Sequence, residues 1–224
     1  MTQLLGRGEG IVVFDAYKDE HLLNSLREEC AQADKPFMSF DLSKDSPEGI
    51  TFNSELAILD QQGGGIFVIG TDDENSEIVA IQKELLTTLI SEARPSNWRE
   101  LDQRKITILT NKIGYLATPK LMGMFGLLRD QKIRMIVTQH TPADLNVCSD
   151  ELGYDAQRAI NENCRDKLIM MQTSREFSEE VSSWTGKIEG GENLFAPDVF
   201  LNLPIGSAVL FSDSTPQLVK FIND

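Results

Sequence analysis

Six short apolar runs constrain the fold more than any other feature of this sequence: Ile11 to Phe14 (IVVF), Phe37 to Phe40 (FMSF), Ile66 to Ile69 (IFVI), Ile106 to Leu109 (ITIL), Met135 to Thr138 (MIVT) and Leu168 to Met171 (LIMM). Short continuous runs of this kind suit strands buried on both faces, as in a parallel sheet covered by helices. Between them lie stretches with helical spacing: Leu22, Leu23, Leu26 and Cys30, then Ile78, Ile81, Leu85, Leu86, Leu89 and Ile90, and later Leu121, Met124, Phe125 and Leu128. Strand and helix alternate, which predicts an α/β fold with a mainly parallel sheet and helices on both faces.

Helix starts carry their own marks. Asp19, Ser76 and Ser174 stand where N-caps belong, and Thr118-Pro119 puts proline at a first helical position. The end of the chain reads differently. Ala208 to Phe211 (AVLF) and Leu218 to Phe221 (LVKF) are separated only by a short turn, too little chain for a crossover helix, so an antiparallel hairpin is expected at a sheet edge or as an appendage. At 224 residues the expectation is a single domain over 1–224.

Charge excludes some functions. A formal net charge of −14 opposes binding to the phosphate backbone of DNA, whose affinity for proteins comes largely from Lys and Arg displacing counterions. No apolar run approaches the roughly 18 residues of a membrane span. The opening MTQLLGRGEG lacks both the charged and the long apolar regions of a secretory signal, so a soluble cytoplasmic chain is expected. Cys30, Cys148 and Cys164 have no metal-ligand spacing and suit a reducing compartment.

Chemistry-bearing motifs are sparse. No GxxxxGK[ST] phosphate-binding loop is present, and Trp184-Thr185-Gly186-Lys187 lacks both its upstream glycine and its final hydroxyl, so it reads as a helix end and a loop. Gly6, Gly8 and Gly10 precede a strand instead of joining it to a helix, the wrong side for a dinucleotide fingerprint. His21 and His140 belong to no metal or triad grouping. Three strand ends remain. Asp15 closes the first strand and is followed by Lys18 and Asp19, a turn that suits a phosphate or ribose and equally the polar joint any strand-to-helix connection needs. Thr110-Asn111 follows ITIL, and Gln139 follows MIVT at the end of a parallel strand, where such sheets bind ligands or where a glutamine simply ties down a loop.

In their order these pieces resemble the TraG/TraD family of type IV secretion coupling proteins, over nearly the whole chain. GEGIVVFDAYKDE (Gly8 to Glu20) is similar to the family's strand and DPKGD-like turn, and Thr51-Phe52-Asn53-Ser54 to its YNP stretch. IFVIGTDDENSEIVAIQKELLTTLI (Ile66 to Ile90) resembles its next strand and long helix. ITILTNKIGYLATPKLMGMFGLLRD (Ile106 to Asp130) resembles its Walker B strand and leucine-rich helix, and LLRDQKIRMIVTQHTPADL (Leu127 to Leu145) the arginine and VTQS-like segment. INENCRDKLIMMQTSREFSEEVSSWTGK (Ile160 to Lys187) and LPIGSAVLF (Leu203 to Phe211) are similar to its closing elements.

The resemblance implies an incomplete RecA-like domain, taken from a membrane-anchored hexameric ATPase that moves DNA or protein into a conjugation channel. It also implies ATP and magnesium as the family's cofactors. Further coupling-protein subunits, relaxosome components and secretion-channel components would be the partners, at the cytoplasmic face of the inner membrane. Arg129 and Gln139 match the residues that in the family reach a neighbouring subunit's nucleotide or sense its phosphate. Two departures stand against activity in this chain. The phosphate-binding loop is absent, and the acidic Walker B pair falls on Thr110 and Asn111, neither of which supplies a carboxylate. No cofactor and no ATP hydrolysis are therefore expected of the chain alone, since phosphoryl transfer depends on charge positioned around magnesium and the γ-phosphate. The alternative reading is a stand-alone, catalytically dead interaction module.

Overall fold

A computed structural model describes residues 2–16, 19–45, 58–59, 61–71, 76–92, 106–128, 133–140, 145, 156–213 and 215–221. The contacts group the chain, read from its sequence as one domain over 1–224, into two compact units, Met1–Ala159 and Ile160–Asp224.

The first unit contains a five-stranded sheet. Its strands are β1 (Gly10–Asp15), β2 (Phe37–Asp41), β3 (Gly65–Gly70), β4 (Ile106–Asn111) and β5 (Ile133–Val137), and its helices α1 (Thr2–Leu5), α2 (Glu20–Gln32), α3 (Ser76–Glu92), α4 (Ile113–Leu116) and α5 (Pro119–Leu128). The strand order is β2-β3-β1-β4-β5, and each neighbouring pair is parallel. Every residue of β3 is buried, as are those of β1 after Gly10, which is why these segments read as unbroken apolar runs.

The pleat divides those runs between two faces. Ile11, Val13, Ile66, Val68 and Leu109 form one cluster with Leu26 and Cys30 of α2. Burying side chains of this size stabilises the fold by roughly 1.5–3 kcal/mol each. Val12, Phe14, Phe67, Ile69 and Ile108 alternate with them and are also buried, toward the other face. The chain leaves β1 toward β2 on one side and leaves β3 toward β4 on the other. Right-handed crossovers then set α2 and α3 on opposite faces.

The caps expected at Asp19, Thr118 and Ser174 form locally, whereas Ser76 is itself the first residue of α3. The Asp19 carboxylate accepts from the N–H groups of His21 and Leu22 and starts α2. Thr118 Oγ1 accepts from Leu121 N at 3.0 Å ahead of α5. One tight approach depends on glycine. A Cβ on Gly64, whose φ is +104°, would lie 2.9 Å from both the carbonyl oxygen of Glu9 and the carbonyl carbon of Gly8.

The second unit has α7 (Arg175–Trp184) and α8 (Pro197–Leu201) with β6 (Lys167–Ile169), β7 (Ser207–Phe211) and β8 (Gln217–Lys220), preceded by α6 (Ala156–Asn163), which spans the boundary between units. These strands make an antiparallel sheet of order β6-β7-β8, so the expected terminal hairpin is present as β7-β8. Its core is Val181, Phe200, Leu203, Val209 and Phe211, with Trp184 edge-on to both Phe177 and Phe211. The LIMM run corrects the sequence reading. It pairs antiparallel with β7 instead of joining the parallel sheet, and Leu168, Met170 and Met171 are exposed, because a short apolar run does not by itself distinguish the two settings. Thr185 caps α7 and Gly186 follows with φ +78°, so the Gly186-Lys187 pair is a helix end and a turn.

Candidate functional site

The strand order reverses at β1. Its outgoing connection runs to β2, whereas β4 on its other side leads on to β5. In open parallel sheets the crevice outside the carboxyl ends of the strands at such a reversal is where ligands bind. Register places Asp15 directly opposite Asn111 there.

The two side chains meet. Asn111 Nδ2 donates to Asp15 Oδ1 at 3.2 Å, and Asp19 N donates to Asp15 Oδ2 at 2.6 Å. Both carboxylate oxygens of Asp15 thus accept protein N–H groups. On its other side Asn111 Oδ1 accepts from Thr138 Oγ1 at 3.0 Å, and that hydroxyl accepts from Lys112 N at 3.1 Å. One hydrogen-bonded chain therefore runs across the ends of β1 and β4 to the residue just after β5.

The loop after β4 is fastened to the same place. Lys112 is left-handed, with φ 58° and ψ 64°, a conformation costly for a residue with a Cβ. Ile113 N donates to the carbonyl of Thr138 at 2.9 Å, and Gly114 N to Gln139 Oε1 at 2.8 Å. Three consecutive backbone N–H groups thus converge on Thr138 and Gln139 and hold the left-handed turn in place.

Thr110 faces the other way. It pairs with Phe14 across β1, is fully buried, and its hydroxyl has no partner among the described residues. Gln82 of α3 donates from Nε2 to the carbonyl of Asp15 at 3.1 Å, while its own Oε1 finds no partner among the described residues. The structure thus brings Asp15, Asn111 and Gln139 to one end of the sheet and sends Thr110 into the interior. Lys18 and Arg129 lie outside the described residues, as do Cys148 and the stretch Thr51 to Ser54. Among the described residues no group of three or more His, Cys, Asp or Glu has the arrangement to hold a metal ion.

Sequence reasoning missed two participants at this end. Thr138 was read as the last residue of a strand, yet it links Asn111 to the backbone of Lys112. Gln82 lies within the segment Ile66 to Ile90 but outside its apolar stripe. Also missed was an ion pair between buried Glu9 and exposed Arg134 at the opposite pole. Glu9 Oε2 accepts from Thr107 Oγ1 at 2.9 Å and from Arg134 Nη1 at 2.8 Å, while Oε1 is buried without a partner among the described residues. Polar residues at the starts of otherwise apolar strands, Thr107 and Arg134, were the available signal.

A parallel sheet with helices on both faces and a crevice at its strand reversal is an incomplete RecA-like α/β fold, here followed by a small antiparallel unit. Several solved structures have a similar fold. The unbound conjugative coupling protein TrwBΔN70 matches with TM-score 0.60 at 14% identity, over 78% of this chain and 44% of that one. TrwB in complex with the non-hydrolysable GTP analogue GDPNP matches with TM-score 0.60 at 17% identity, over the same 78% and 44%. VirB4 of Thermoanaerobacter pseudethanolicus matches with TM-score 0.57 at 13% identity, over 100% of this chain and 85% of that one. No family model matches the sequence, and no curated protein matches it. At these identities the likeness is one of fold, and at that level it agrees with the resemblance to coupling proteins carried by the sequence motifs. The chain spans less than half the length of the TrwB chains it matches. Among the described residues no helix is long and apolar enough to cross a membrane.

Proposed function

We infer that this chain is the later part of the motor fold of a type IV secretion coupling protein, whose parent recruits and translocates DNA or protein substrate, and that the chain by itself does not hydrolyse ATP. The observation that carries the second half is the hydrogen-bonded chain at the strand reversal. Magnesium requires near-octahedral oxygen ligands and in nucleotide sites is held by carboxylates together with substrate phosphates. Here both oxygens of Asp15 accept N–H donors, and Asn111 turns its amide nitrogen toward that carboxylate. The described residues therefore do not fit a magnesium-nucleotide complex, and the crevice serves to fasten β1, β4 and the end of β5 together.

Gln139 is held on Gly114 N. In this reading it becomes available to a neighbouring subunit's nucleotide only if the loop after β4 moves. Arg129 is assigned the inter-subunit role by resemblance alone. Other coupling-protein subunits, a relaxosome or channel components are the partners, on the cytoplasmic side of the membrane. DNA binding by the isolated chain is weak, because the net charge of −14 repels the phosphate backbone.

The test is titration calorimetry of the 224-residue chain with ATP and magnesium, alongside a phosphate-release assay. No saturable heat and no release are expected. Stoichiometric magnesium-dependent binding that disappears in Asp15→Ala would overturn the reading. The second reading, a stand-alone regulatory module that docks on active motor subunits, draws on the same missing carboxylates. An intact mass of 25.0 kDa for the native product in its source cells would favour it, and a much larger mass would favour the first.

A further inference from the structure

The edge strand β5 is held differently from the inner strands of its sheet. β1 beyond Gly10 and all of β3 are buried. In β5 only Ile133 is buried, Arg134 is exposed, and Met135, Ile136 and Val137 are half-buried. Among the described residues β5 pairs on one side only, with β4. Apolar burial therefore contributes less to its place than it does for β1 and β3, and hydrogen bonds contribute a larger share.

Those bonds form two groups, one at each end of the strand. At the amino end Arg134 Nη1 reaches past β4 to Glu9, the residue ahead of β1, at 2.8 Å, and Thr107 of β4 donates to the same carboxylate oxygen at 2.9 Å. At the carboxyl end Thr138 Oγ1 donates to Asn111 at 3.0 Å, and Asn111 donates on to Asp15, the last residue of β1, at 3.2 Å. Each group crosses the same three strands and ends on β1 or the residue before it. The loop after β4 hangs on the second group, through Ile113 N on the Thr138 carbonyl and Gly114 N on Gln139 Oε1.

Arg134 and Thr138 are four residues apart, which is about 13 Å of strand. A slip of β5 along β4 by one residue would turn every side chain to the other face. Arg134 would then leave Glu9 in the same step in which Thr138 leaves Asn111. We propose that β5 is a two-ended latch: the Arg134–Glu9 pair at one pole and the Thr138 and Gln139 contacts at the other open together, and the opening frees Gln139 and the loop after β4. The Glu9 pair thereby sets how often the crevice end opens, although it lies at the opposite pole. The latch follows from these hydrogen bonds and does not depend on what the crevice binds.

Amide hydrogen exchange of the 224-residue chain, followed residue by residue by NMR, tests this. In the wild type the β5 amides and those of Ile113 and Gly114 are expected to exchange as one group, faster than β1 and β3. Glu9→Gln/Arg134→Met removes the pair without leaving a charge buried. It should speed Ile113 and Gly114, at the far pole, roughly tenfold or more and by the same factor as β5. Arg134→Lys, which keeps the charge and loses the planar fork of donors, replaces the double variant if that does not fold, and should speed the same group by a smaller factor. Unchanged exchange at Ile113 and Gly114 while β5 quickens at its amino end would overturn the proposal, because the two ends would then open separately. So would a wild type in which β5 exchanges only together with β1 and β3, because no separate latch would exist.

Discussion

Replacing Asn111 by Asp should turn the clasp at the strand reversal into a repulsive pair. In the wild type Asn111 Nδ2 lies 3.2 Å from Asp15 Oδ1, and a hydrogen bond to a charged group is worth about 1.5–3 kcal/mol. Asn111→Asp removes that bond and sets two carboxylates at similar separation. At an effective dielectric constant near 20 their repulsion would be about 5 kcal/mol, which is a ceiling. The pair escapes part of it by sharing a proton, so the net loss at pH 7.5 should be about 2–4 kcal/mol. The sign with pH follows from the same proton. The folded variant holds it more tightly than the unfolded chain does, so its penalty grows as pH rises and shrinks as pH falls toward 5. Urea denaturation of both proteins at pH 7.5 and pH 5, reading midpoint and slope, measures this directly. Asp15→Asn combined with Asn111→Asp restores one carboxylate facing one amide and should recover part of the loss. A single variant within about 0.5 kcal/mol of wild type at pH 7.5, or a gap that does not narrow at pH 5, would refute the reasoning.

Three further substitutions test the rest of the first unit. Thr110→Val should be neutral or stabilising by about 0.5–2 kcal/mol, because the buried hydroxyl is desolvated without a partner. A loss above about 1 kcal/mol in thermal melts would mean that the hydroxyl is bonded. Arg134→Met strands the buried Glu9 carboxylate and should cost about 3–5 kcal/mol, more than Glu9→Gln, which removes the charge that needs a partner. Equal losses in urea midpoints would show that the ion pair contributes no charge-specific stability. For Asp41, burial works against the charge, but hydrogen bonds from Lys44 and Ser43 outweigh it and hold the carboxyl at about 2. Its contribution is therefore present above pH 4 and lost as pH falls toward 2. Asp41→Asn should cost no more than about 1 kcal/mol at neutral pH, with the difference vanishing in acid.

The parallel sheet was legible because burial on both faces leaves apolar runs that no polar residue interrupts, as β1 and β3 do. Its helices were legible from their stripes and from caps at Asp19, Ser174 and Thr118. The antiparallel setting of LIMM was not, since four apolar residues carry no pairing direction and their exposure depends on what the unit leaves uncovered. At the site, the positions of Asp15, Asn111 and Gln139 at strand ends could be read from the chain, because a strand's last residues face the crevice by geometry. Their bonding could not. The contacts of Asn111 with Asp15 and Thr138 join residues 96 and 27 positions away in sequence. They depend on a strand order that places β4 beside β1, and no local pattern announces it.

The pleat also decides what Thr110 and Asn111 can do together. Adjacent residues on a strand point to opposite faces, and here Asn111 meets Asp15 while Thr110 lies on the side of Phe14, buried and unpartnered. An acidic pair introduced at these positions would be split by the sheet. Thr110→Asp combined with Asn111→Glu would put one carboxylate beside Asp15 and the other in the interior with no cation to meet it. A buried carboxylate without a partner costs several kcal/mol or takes up a proton. The double variant should therefore show no phosphate release with ATP and magnesium, and its urea midpoint should fall well below that of the wild type. Turnover with stability retained would refute both the match of this strand to Walker B and the placement of Thr110 in the interior.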